Sequence, residues 1–72
     1  KREKEKNQII AYAIEMTYED MKDSMDCIEL ANNYKYELYG MIKILKCTNY
    51  ITKEEHSDLF KNIQDEYRKL IG

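Results

Sequence analysis

Cys47-Thr48-Asn49-Tyr50-Ile51-Thr52-Lys53-Glu54-Glu55 reads as the end of one helix and the start of the next. Asn49 suits a left-handed C′ position, where asparagine is tolerated better than most side chains. Thr52 and Glu55 have the spacing of a capping box, in which the threonine hydroxyl takes the third amide and the glutamate reaches back. Downstream, Leu59, Ile63, Tyr67 and Leu70 fall on one helical face, with Phe60 and Ile71 beside it. Arg68 and Lys69 close that helix, where cations suit the dipole. Residues 34–71 therefore predict an antiparallel helical hairpin.

Upstream of the turn, Ile10, Ile14, Met21, Ile28, Ala31, Leu38, Ile42 and Leu45 keep one alternating 3–4 spacing. Thr17, Ser24 and Lys35 are its polar interruptions, while Met25 and Tyr39 flank it. Unbroken, this stripe describes one helix of about 40 residues and ~60 Å, which a small globule does not cover alone. The preferred break is Ala31-Asn32-Asn33-Tyr34, since paired asparagines suit a helix end followed by an N-cap. A second candidate is Lys22-Asp23-Ser24, with Ser24 as the cap. Thr17-Tyr18-Glu19-Asp20 also mimics a capping box, with Met16 and Met21 as its staple.

With 72 residues, no proline and only two glycines, the chain is a single all-α domain. The expected helices lie near residues 7–31, 34–47 and 52–71, with residues 1–6 frayed. Two architectures fit. One is a three-helix bundle; the other is a hairpin with a straight N-terminal helix that needs a second chain as its lid. No apolar run approaches the ~20 residues of a membrane helix, and Ile9–Ile14 is short even for a signal-peptide core. A cytoplasmic protein is expected.

Charge is segregated along the chain. Between Glu15 and Glu37, seven carboxylates stand against Lys22 and Lys35, whereas the chain as a whole is only −2. Such a distribution governs which surfaces a protein approaches. Glu15, Glu19, Asp23 and Asp26 follow 4-4-3 spacing, and like charges so placed cost a helix roughly 0.2–0.5 kcal/mol per pair. An ordinary solvated face explains them; so does a binding surface. With few and scattered basic residues and a pI near 5.4, direct nucleic-acid binding is not expected.

Little else points to chemistry. Cys27, Cys47 and His56 are too few and too widely spaced for a zinc site, and both cysteines are expected as free, largely buried thiols. His56 has only Ser57 beside it, on a different helical face, so it offers no catalytic pair. No cofactor, metal or catalytic residue is expected. The tyrosines are more informative: there are seven, against one phenylalanine and no tryptophan. Tyr34, Tyr36, Tyr39 and Tyr50 crowd one window, and tyrosine is favoured where one side is apolar and the other wet.

Residues 41–71, with Leu45, then Asn49-Tyr50-Ile51-Thr52-Lys53-Glu54-Glu55 and the helix to Leu70, resemble the short helical hairpins called SHOCT domains. Asn49 stands where that pattern has glycine, and His56 where it has an aromatic. The resemblance implies a protein-interaction or oligomerisation module, without catalytic residues. The expected function is thus non-catalytic binding of a protein partner, or homodimerisation, through Glu15, Glu19, Asp23, Asp26 and the four clustered tyrosines. The alternative is a small acidic inhibitor, of the phage or mobile-element anti-defence type. Its carboxylates would stand in for nucleic-acid phosphates in a basic groove of an enzyme.

Overall fold

A computed structural model describes residues 2–24 and 26–71, with the side chains of residues 2 and 3 excepted. The chain forms three helices, α1 Arg2–Asp23, α2 Ile28–Cys47 and α3 Lys53–Ile71. There is no strand among the described residues. The middle helix packs along both neighbours, while α1 and α3 meet over a shorter stretch. The result is a three-helix bundle of 41 × 21 × 13 Å, open along one side.

The second turn forms as the sequence predicts. Asn49 takes φ 62°, and the Tyr50 and Asn49 amides donate to the Leu45 and Lys46 carbonyls at 2.9 and 3.1 Å. These two bonds make a Schellman motif, which satisfies carbonyls the helix end would otherwise orphan. The Glu55 amide then donates to Thr52 Oγ1 at 3.1 Å, and the Thr52 amide donates to Glu55 Oε1 at 2.9 Å. Both halves of the capping box are therefore present.

The first turn differs from the expectation. The helix does not break at Asn32-Asn33; α2 runs straight through both asparagines. The break follows Asp23, so the helices are 2–23 and 28–47, not 7–31 and 34–47, and helical backbone already starts at Arg2. Length matching gives the reason. Helices of 22 and 20 residues are each ~30 Å long and pair end to end, whereas 25 against 14 would strand a third of the stripe. Two asparagines inside a helix cost ~0.7 kcal/mol each at most, less than the burial of one aliphatic side chain recovers.

Ser24 marks this turn, though not as an N-cap. Its hydroxyl donates back to the Asp20 carbonyl at 2.6 Å, closing the end of α1. Cys27 precedes α2 in an extended conformation and makes no side-chain cap. Its amide donates to the Ser24 carbonyl at 3.1 Å. Met25, placed on the flank of the stripe by sequence, lies outside the described residues.

The core consists of Met21, Ala31, Leu38, Ile42, Leu45 and Ile63. Ile14, Tyr18, Leu59, Phe60, Tyr67 and Leu70 close around it, each partly buried. Ile28 is a correction to the stripe: as the first residue of α2 it lies exposed beside the turn. Asn7 is buried 3.2 Å from Thr48 Oγ1, tying the start of α1 to the end of α2. Since α2 and α3 cover Met21 and Ile14 within one chain, the stripe no longer demands a second chain as a lid.

Thr52→Ala should lower stability by about 1 kcal/mol, which in a domain this size moves the melting temperature by roughly 4–8 °C. A thermal melt followed by circular dichroism checks this. The same melt should show Leu38→Ala or Ile42→Ala costing ~2–5 kcal/mol, against little for the exposed Tyr36→Ser. A larger loss for Tyr36→Ser would place the buried face of α2 elsewhere.

Candidate interaction surface

The acidic residues separate on folding. Glu15, Glu19 and Asp23 are exposed on α1, but Asp26 lies in the turn, exposed and off the helix. The expected stripe of four is therefore three, because Ser24 ends the helix first. Glu19 pairs with Lys22 at 3.2 Å, and the Lys22 ammonium also stands 4.9 Å from the Tyr18 ring centre. Neither Glu15 nor Asp23 has an ion pair among the described residues.

The four tyrosines do not form one surface either. Tyr36 and Tyr50 are exposed, whereas Tyr34 and Tyr39 are half-buried against the core. Tyr39 lies 4.4 Å from the Phe60 ring centre and meets Tyr36 edge-on at 6.1 Å. Tyr34 and Tyr39 thus serve the bundle first, and Tyr50 belongs to the α2–α3 turn. Cys27 and Cys47 are both exposed, contrary to the expected burial. They flank helix ends, where the neighbouring helix no longer covers them.

A surface that sequence reasoning missed lies on the outer side of α1. Ile9, Tyr12 and Met16 are 68, 65 and 54% exposed. Their 3–4 spacing continues into Glu19 and Asp23, so the five residues share one helical face. This row is apolar over its first half and acidic over its second. Its signal was available as a second 3–4 series, one position out of phase with Ile10 and Ile14.

Between α1 and α3 runs a largely apolar cleft of about 230 Å³, lined by Ile14, Tyr18, Leu59 and Ile63 together with Glu15 and Asn62. Burial pushes the Tyr18 phenol above its ordinary 10.0, with Glu66 adding to the shift and Lys22 opposing it. Burial also raises Tyr39, which the neighbouring Tyr36 reinforces and a hydrogen bond with Gln64 offsets.

The chain matches no protein-family model, no curated protein and no solved structure. Among the described residues, no helix is long and apolar enough to cross a membrane.

The two raised phenols give an alkaline prediction. Above pH 10 the unfolded chain releases these protons while the folded chain retains them, so folding stability falls as pH rises. Melting curves taken from pH 9 upward should show this decline. In Tyr18→Phe and Tyr39→Phe it should be shallower, because the responsible proton is gone.

Proposed function

We propose that this chain is a non-catalytic protein-interaction module of the cytoplasm, and that the outer row of α1 is its docking face. The carrying observation is the exposed series Ile9, Tyr12, Met16, Glu19 and Asp23 on one face. Scattered exposed apolar residues need no explanation, but three in register on one helix form a patch. The chemistry it fits is an amphipathic helix, apolar along one half and Lys- or Arg-bearing along the other. The likeness of residues 41–71 to SHOCT hairpins points the same way. Unpaired, exposed Cys27 and Cys47 suit a reducing compartment.

A second reading rests on Glu15, Glu19 and Asp23, exposed on successive turns of α1. Carboxylates in such a line match an enzyme groove built for nucleic-acid phosphates, and the protein would then act as an inhibitor. Salt dependence separates the two readings by degree: the half-apolar docking row keeps part of its affinity as ionic strength rises, whereas a phosphate mimic loses most of it.

The test is binding of a fluorescent basic amphipathic peptide to the intact protein, read by anisotropy. Ile9→Ser with Met16→Ser should weaken binding by at least about tenfold while leaving the melting temperature within a few degrees, because both side chains are exposed. Retained affinity in that variant, with binding lost in Glu19→Gln/Asp23→Asn at low salt, would favour the inhibitor reading. Retained affinity in both variants would remove α1 as the docking face.

A further inference from the structure

The opposite flank of the molecule has a different character. Lys35 and Tyr39 of α2, with Gln64, Tyr67, Arg68 and Ile71 of α3, line a groove of about 230 Å³. No carboxylate is among its lining residues. The ion pairs among the described residues are Lys22–Glu19 and Lys69–Glu66, so neither Lys35 nor Arg68 has an ion pair among them. A chain of net charge −2 therefore carries a local pair of cations here.

Lys35 is held without being discharged. Its ammonium lies 4.2 Å from the Tyr67 ring centre, 4.7 Å from Tyr36 and 6.0 Å from Tyr39. A salt bridge would cancel the charge, whereas ring faces attract the ammonium and leave its full charge in place. Positioning of this kind lowers the entropy lost when an anion arrives. Arg68 adds a planar fork of donors suited to phosphate oxygens.

We propose that this groove binds a small phosphate monoester carried on a planar ring. The phosphate, near −2 at neutral pH, meets Lys35 and Arg68, and the ring lies against the tyrosines. Two cations suit this dianion better than a single carboxylate. The groove falls below the ~300 Å³ at which ordinary ligand pockets begin, so it takes a head group with one ring. A nucleic-acid strand is disfavoured, since the surplus of acids between Glu15 and Glu37 repels a polymer of phosphates. The site lies away from the α1 row and stands or falls independently of it.

Titration of the intact, isotope-labelled protein with phenyl phosphate, followed by amide chemical shifts, tests the assignment at pH 7.5. Saturable shifts are expected at Lys35, Tyr39, Gln64, Tyr67 and Arg68. Inorganic phosphate should bind more weakly, and phenol not at all. Arg68→Gln should weaken phenyl phosphate by about tenfold, the loss of one charge-assisted contact. Arg68 is exposed, so this variant keeps its fold even if Lys35→Gln, which is half-buried, does not. Phenyl phosphate binding no better than inorganic phosphate would overturn the proposal. So would shifts spread over the whole surface, or shifts unchanged in Arg68→Gln.

Discussion

Both outer helices depend on the buried side of α2. Leu38 and Ile42 are inaccessible to water, and Ala31 and Leu45 extend the same line along the helix. Neither α1 nor α3 could replace this contribution, because each supplies a single fully buried apolar residue, Met21 and Ile63. A core so small leaves little margin, since marginal stability scales with the apolar area a short chain can bury. Fixed connections then matter more than in a large domain, and one turn here is fully hydrogen-bonded at both ends.

That turn was legible because its chemistry is local. Asn49, Thr52 and Glu55 act on backbone groups within four residues, so spacing alone specifies the geometry. The first turn was not legible for the opposite reason. Asn32-Asn33 has stronger turn residues than Asp23-Ser24, yet the longer-range gain from pairing α1 with α2 overrides them. What distinguished the two sites was the length of helix each would leave to pack. Asn7 could have been found, since the 3–4 series Ile10, Ile14 extended backward lands on it. Polar residues at core positions seldom announce that they are buried; here the partner, Thr48, is 41 residues away.

The candidate surface was half legible. Glu15, Glu19 and Asp23 were identified as exposed acids on one helix, but Asp26 was lost to the turn that ended it. Ile9, Tyr12 and Met16 were hidden by the stronger core stripe. Periodicity alone cannot say which of two offset apolar series faces inward; the turn decides by fixing where α2 lies. Tyrosine abundance was a true signal of wet edges but a poor map. Tyr39 and Tyr67 wall a groove, Tyr36 is exposed yet meets Tyr39 edge-on, Tyr12 is exposed, and Tyr34 packs inward.

Helix α3 separates the two surfaces electrostatically. Glu66 and Asp65 act on Tyr18 of α1, while Arg68 acts on Tyr39 of α2. Asp65 and Glu66 thus lie toward α1, while Arg68 lines the groove with Lys35. Such an arrangement gathers like charges, at a small cost to folding, where alternation would have cancelled them. Solubility alone would be served as well by charges of both signs interspersed over the surface. An anionic α1 face and a cationic α2–α3 groove on one small bundle therefore give the molecule two ends that attract different chemistries. A ligand in the groove would neutralise Lys35 and Arg68 without touching Ile9, Tyr12 or Met16. Its effect on the α1 face would then pass through α2, which packs against both neighbours, or through α3 where it meets α1 directly.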